Sequence, residues 1–297
     1  MTEFTRAVAS GDVLGESPVW SVAEQALYWI DVRGRRIRRW HPESGARRDW
    51  TLPDFIGCIA ERARGGLVAA LRGGFHFFDP ATGALEKIVD PEADKPENRF
   101  NDGHCDRLGR FWAGTMLNNY GDDGSNIPND RPAGSIYRLD PDLSCHRVAE
   151  GVQTPNTMLW RPDERVMYVA CSPHQVLYAY DLDFAAGTLG VRCAFARSDR
   201  GYPDGSAMDA DGYLWNAMYA GGRIVRWAPD GSVDRIVETP VSNPTSCVFG
   251  GPDLDVLYIT SAGDGLSREQ LAAQPWAGDV VAFRPGVRGL PQGTFGG

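Results

Sequence analysis

One unit recurs six times along this chain, and the repeat constrains the fold more than any other feature of the sequence. Its clearest part is a short segment rich in β-branched and aromatic residues. The six copies are Ala26-Leu-Tyr-Trp-Ile-Asp31, Gly66-Leu-Val-Ala-Ala-Leu71, Arg110-Phe-Trp-Ala-Gly-Thr115, Val166-Met-Tyr-Val-Ala-Cys171, Gly212-Tyr-Leu-Trp-Asn-Ala217 and Val256-Leu-Tyr-Ile-Thr-Ser261. Such compositions favour strands. Turn sequences such as Arg161-Pro-Asp-Glu, Asp209-Ala-Asp-Gly and Gly251-Pro-Asp-Leu stand before them, because proline presets a turn dihedral and glycine accepts positive φ. A second strand follows each copy, for example Arg36-Ile-Arg-Arg-Trp-His41 and Val176-Leu-Tyr-Ala-Tyr-Asp181. A less regular strand precedes each turn, as in Pro18-Val-Trp20, Gly103-His-Cys105 and Cys247-Val-Phe249.

A fourth strand follows in five units: Arg48–Leu52, Glu86–Val89, Cys145–Val148, Val191–Phe195 and Asp234–Val237. The spacing of roughly 40–55 residues is that of propeller blades. The chain is therefore expected to be all-β, a six-bladed β-propeller with four-stranded blades, forming a single domain over residues 1–297. The last unit ends in Gly286-Val-Arg-Gly-Leu-Pro and lacks a fourth strand. Glu3-Phe-Thr-Arg-Ala-Val8 is expected to fill that place and close the ring by pairing the two chain ends, leaving no open edge between blades. A β-sandwich has too few strands for this pattern, and a parallel β-helix has a shorter repeat.

Composition agrees. The 35 glycines and 20 prolines lie along the whole sequence, as many short strands joined by turns require. A net charge of −9 repels phosphate backbones, which argues against nucleic acid as a partner. Met1 to Asp12 is polar, without the apolar core of a signal peptide, and no run of about 18 apolar residues suggests a membrane span. Cys58, Cys105, Cys145, Cys171, Cys193 and Cys247 form no CxxC pair. They read as reduced, mostly buried thiols of a cytoplasmic protein.

In a propeller the innermost strands line a central channel, and ligands bind at one end of it. Aligning the six units places Glu16, Ile56, Asn101, Asn156, Asp204 and Thr245 at the opening of those strands. Glu16, Asn101, Asn156 and Asp204 each offer a hard oxygen. Two carboxylates balance a divalent cation, and carboxylate and amide oxygens suit calcium, magnesium or manganese while also accepting zinc or ferrous iron. Taken singly, each residue is also an ordinary turn or loop-capping residue; their common place in the repeat is what points to a site.

Leu14-Gly-Glu16-Ser-Pro-Val-Trp20, Arg99-Phe-Asn101-Asp-Gly103, Gly109-Arg-Phe-Trp-Ala-Gly-Thr-Met116, Pro155-Asn156, Tyr202-Pro-Asp204-Gly205 and Gly250-Gly-Pro-Asp-Leu254 resemble the gluconolactonase and regucalcin-like family of sugar lactonases. The resemblance runs from about Gly11 to the C-terminus. It implies a propeller with one divalent metal ion, held by Glu16, Asn156 and Asp204, with Asp204 also the proton acceptor and donor. It implies substrate contacts from Arg99 and Asn101. Some members carry a further contact, a glutamate, after Gly-Thr-Met; here Asn119 stands at or near that position. The implied substrate is a small sugar lactone, with no membrane and no obligate protein partner.

The chemistry follows two routes. Either Asp204 takes the proton of the attacking water and returns it to the leaving ring oxygen, or the cation activates water and Asp204 mainly places it, since a carboxylate bound to a cation is a poorer base. The same site chemistry also suits a metal-dependent esterase or phosphotriesterase, or a calcium-binding regulator without turnover. Arg99 carries five donors suited to sugar or lactone oxygens and serves equally as a structural pairing group. Leu117 to Ala133 is a long polar insertion expected to cover the site and select the sugar. His104 and His174 read as loop or packing residues, and no nucleophile elbow or nucleotide-binding loop occurs. Trp160 and Tyr219 are weaker candidates for stacking on a sugar.

Overall fold

The structure is a computed structural model that describes residues 2–297. It contains six four-stranded antiparallel sheets, the blades that the repeat predicts. Their innermost strands are Gly15–Ser21, Ile56–Glu61, Asn98–Cys105, Pro155–Trp160, Tyr202–Met208 and Pro244–Gly250, numbered here as blades 1 to 6. This is the architecture of a six-bladed β-propeller. The expected strand of blade 3 is longer than the sequence suggests, beginning at Asn98. No described helix is long and apolar enough to cross a membrane.

The chain forms two compact units. Met1–Thr51 with Phe195–Pro291 holds blades 1, 5 and 6; Leu52–Ala194 with Gln292–Gly297 holds blades 2 and 3 and nearly all of blade 4. Within the first unit, the N-terminal strand Thr5–Val8 pairs antiparallel with Val280–Phe283 and supplies the fourth strand of blade 6. The expected closure is therefore present. Phe4 packs on Phe283 with ring centroids 5.0 Å apart, and Arg6 pairs at 2.6 Å with the buried Asp279.

Burial explains the composition of each strand. The second strands, such as Ala26–Asp31 and Leu67–Leu71, are buried at every residue because both faces are covered by neighbouring structure, so they read as continuous apolar runs. The outermost strands, such as Arg47–Thr51 and Val233–Glu238, bury one residue each and are correspondingly polar.

Two blades share a buried device. In blade 3, Asp106 accepts from the Leu108 and Arg110 amides, the Trp112 indole at 2.8 Å and the Arg110 guanidinium at 2.5 Å. In blade 5, Asp209 accepts from the Asp211 and Tyr213 amides, the Trp215 indole at 2.9 Å and Arg226 at 2.8 Å. Both carboxylates are thus fully engaged, which is the condition for burying a charge without a large penalty. The turn reading of Asp209-Ala-Asp-Gly is correct, and its first residue also anchors the tryptophan behind it.

The chain's last residues are fastened by backbone bonds. Phe295 exchanges hydrogen bonds with Glu61 and Ala63, and its ring is wholly buried in the cluster of Cys58, Phe75, Phe100 and Phe111. Burying a phenylalanine in this way contributes about 1.5–3 kcal/mol.

Candidate active site

All six innermost strands carry the same irregularity. In blade 1 the register steps from Glu16↔Ile30 to Val19↔Tyr28, and in blade 4 from Asn156↔Ala170 to Leu159↔Tyr168. In blade 3 it steps from Phe100↔Thr115 to Gly103↔Ala113, and in blade 5 from Pro203↔Met218 to Ser206↔Asn216. Blades 2 and 6 slip after Ile56 and Pro244. Each time the inner strand has one residue more than its partner. That is a β-bulge, a device that re-aims side chains beside active sites. Glu16, Asn101, Asn156, Asp204 and Thr245 all sit at or next to the extra residue. The residues following Glu16 and Asn156 adopt left-handed backbone, Ser17 at φ 46° and Thr157 at φ 51°.

In the second unit, the structure brings Arg99, Asn101, Asn119 and Asn156 together. Arg99 is buried, 3% exposed. It donates to Asn119 Oδ1 from Nε and Nη2 at 3.2 and 2.8 Å, and from Nη1 to Asn101 Oδ1 at 2.9 Å and to the Phe100 carbonyl at 2.8 Å. A guanidinium has no acceptor, so both amides must turn their oxygens toward it. Asn101 Nδ2 then points away and donates to Asn156 Oδ1 at 2.7 Å and to the Pro155 carbonyl at 2.9 Å. Asn156 Nδ2 in turn donates to Ser172 Oγ at 2.8 Å. One arginine thus sets the orientation of a chain of amides and keeps the Asn119 NH2 group on the side of that amide away from the guanidinium. Gly57 of blade 2 lies against the Phe100–Asn101 backbone so closely that a Cβ would collide with it.

In the first unit, Asp204 is buried and Glu16 partly so. The Asp204 bulge is held by Asn216, a wholly buried residue of the neighbouring strand. Its Nδ2 donates to the Asp204 carbonyl and Ser206 Oγ at 2.9 Å each and to the Gly205 carbonyl at 3.3 Å. A Cβ on Gly205 would run into Ser246 of blade 6. Glu16 Oε2 accepts from the Ser17 amide at 3.1 Å. Thr245 donates to the Gly15 carbonyl at 2.5 Å, a bond to the backbone rather than a group offered to a ligand.

The insertion after Leu117 is pinned at several points. The Tyr120 ring lies between Phe55, at 6.0 Å, and the Arg99 guanidinium, at 5.6 Å. Asp122 reaches Arg72 at 3.6 Å. Asn129 donates to Thr154 Oγ1 at 2.8 Å and accepts from Gln153 Nε2 at 2.8 Å. The segment is therefore fastened to residues of blades 2 and 3 and to Gln153 and Thr154, just before the inner strand of blade 4.

Residues 14–263 match the family model described as the SMP-30/Gluconolactonase/LRE-like region. The chain is 39% identical over 292 residues to the 6-deoxy-6-sulfogluconolactonase of Pseudomonas putida, covering 98% of this chain and 97% of that one. This chain belongs to the SMP-30/gluconolactonase/LRE-like family. Regucalcin of Gallus gallus is 35% identical over 288 residues, covering 96% and 95% of the two chains. Among solved structures, the calcium-binding protein regucalcin from Agrobacterium tumefaciens superposes with a TM-score of 0.88 at 28% identity, covering 96% and 94%.

Within this SMP-30/gluconolactonase-like chain, sequence reasoning missed three residues that bond the candidates or their backbone: Asp102, which accepts from the Thr157 amide, Ser172 and Asn216. Their partners lie far along the sequence, so no local pattern marks them. Trp160 stands at the opposite end of its strand from Asn156 and packs edge-on against Trp112, 6.0 Å away, which removes it as a stacking residue beside Asn156. Tyr219 pairs with Tyr202, near Asp204. His104 is buried, which holds its pKa below the ordinary value and leaves it a neutral packing residue; His174 lies in a short turn, Ser172–His174.

Proposed function

We propose that this chain hydrolyses a sugar lactone to the corresponding aldonic acid, with one divalent cation held by Glu16, Asn156 and Asp204. The observation that carries the reading is the amide chain from Arg99 through Asn101 to Asn156. It fixes Asn156 Oδ1 as an acceptor with one hydrogen bond, and an amide oxygen has a second lone pair for a ligand. Two carboxylates and an amide oxygen are a hard donor set that suits calcium, magnesium, manganese, zinc or ferrous iron. The names of the relatives, a sulfogluconolactonase and a calcium-binding protein, support both halves of the reading.

When bound, the cation stabilises negative charge on the lactone carbonyl oxygen. Asp204 takes a proton from the attacking water as the new carbon–oxygen bond forms. It returns that proton to the ring oxygen as the acyl–oxygen bond breaks, and the product acid then releases one proton to solution. Asn101 and Asn119 contact the sugar, the latter through its NH2 group. Arg99 orders both amides and confines the polar end of the substrate. The 117–133 segment covers the sugar and limits its size. A second reading, cation binding without turnover, is favoured by the relatives named regucalcin.

Proton release from pentonolactones, hexonolactones, a simple open-chain ester and a phosphotriester, with spontaneous rates subtracted, separates these readings. Acceleration confined to one or two aldonolactones is the expected result. Faster turnover of the open ester or phosphotriester would replace the sugar lactone with those substrates. No acceleration by folded, metal-loaded protein would leave the cation-binding reading.

A further inference from the structure

The bulge that carries Asn156 is held from the neighbouring blade by two consecutive residues. Asn101 Nδ2 bonds Pro155 and Asn156, as described above. The next residue, Asp102, is buried, 4% exposed. Its Oδ2 accepts from the Thr157 amide at 2.8 Å and its Oδ1 from the Gly103 amide at 2.8 Å. Asn101-Asp102 on one strand therefore grips Pro155-Asn156-Thr157 on the next by three bonds in sequence.

Thr157 is the strained member of this contact. It is β-branched, wholly buried and left-handed at φ 51°, a strained conformation that such residues rarely adopt. A charge-assisted bond from a buried carboxylate to a backbone amide is among the stronger hydrogen bonds. Two amide donors face Asp102, and an ionised carboxylate can meet both. Asparagine has a single acceptor oxygen, so it would place an NH2 group against one of the donors. His104 Nε2 lies 3.9 Å from Asp102 Oδ1, beyond hydrogen-bond distance.

We propose that Asp102 is a positioning residue for the cation site: by holding Thr157 in left-handed backbone it aims Asn156 Oδ1 at the ion. The inference rests on the cation reading given above and adds a residue that touches neither ion nor substrate. Groups of this kind around metal ligands control affinity by about 10- to 100-fold.

The test titrates Mn2+ into metal-free full-length protein, following free ion by electron paramagnetic resonance. Amide hydrogen exchange at Thr157 is measured in parallel on the metal-free protein. Asp102→Asn is expected to raise the Mn2+ dissociation constant about 10- to 100-fold and to speed Thr157 exchange at least about tenfold, because its hydrogen bond is lost. Adding Thr157→Gly is expected to recover affinity, since glycine holds positive φ without strain. If Asp102→Asn alone does not fold, the double variant is the readout, and it is expected to fold and bind. A folded Asp102→Asn protein with affinity within about twofold of the parent and unchanged exchange would overturn the proposal. So would a double variant that binds no better than the single one or remains unfolded. Failure of the parent to bind Mn2+ would instead overturn the cation reading, and Thr157 exchange would still decide whether Asp102 holds the strained residue.

Discussion

Replacing Asp204 with asparagine is expected to lower kcat/KM for lactone hydrolysis by about 10²- to 10⁴-fold, the range typical of a lost general base, with little change in melting temperature. The second half of that expectation comes from the local structure. The bulge at Asp204 is held through its backbone carbonyl, the Gly205 carbonyl and Ser206, all bound by Asn216. Asparagine leaves those bonds in place and nearly preserves side-chain shape. What it removes is the charge and the ability to carry a proton. Melting curves and steady-state kinetics on the metal-loaded variant check both parts. A variant that keeps its cation and its rate would exclude Asp204 as the base.

Deleting residues 1–10 is expected to lower the melting temperature by about 5 °C or more. The deletion removes Val8, which is 3% exposed and contributes about 1.5–3 kcal/mol by burial. It also strips Arg6, whose side chain is 41% exposed, from Asp279, a solvent-screened pair worth about 0–1 kcal/mol, and removes the Phe4 ring from Phe283, an aromatic contact worth about 0.5–1.5 kcal/mol. A combined loss of about 2–5 kcal/mol is a large part of the whole stability of many domains and moves a large domain's midpoint by about 4–20 °C. Val280–Phe283, an apolar strand, would become an open edge, so aggregation should rise as well. Thermal denaturation monitored by circular dichroism decides this. A truncated protein with the parent's midpoint would show that the terminal strand does not close blade 6.

These two cases show why some of the molecule is legible in its sequence. The blades are written in local patterns: apolar runs at the second strands, turn residues before them and a missing fourth strand after residue 283. The N-terminal strand could be placed because the last unit lacks a fourth strand and Glu3–Val8 offers a segment that closes the ring. The alignment of Glu16, Asn101, Asn156 and Asp204 could be read because the repeat fixes equivalent positions. What decides their direction was not readable. A bulge exists only relative to a partner strand, so the extra residue in every inner strand has no local signature. Asp102, Ser172 and Asn216 act through contacts with other strands or turns. Arg99 reads in the sequence equally as a substrate contact or a structural pairing group, and in the structure it donates to the Asn101 and Asn119 oxygens and the Phe100 carbonyl. Those bonds fix the direction in which both amides face, which no local pattern shows.

The most direct test removes bound metal with a chelator, confirms that the protein remains folded, and restores calcium, magnesium, manganese, zinc and ferrous iron one at a time. Proton release from aldonolactones is followed at each step. The expected result is a rate near the spontaneous one in the stripped protein, restored by at least one of the five ions. Stripped, folded protein that hydrolyses lactones as fast as before treatment would contradict a site in which Glu16, Asn156 and Asp204 work by holding a cation.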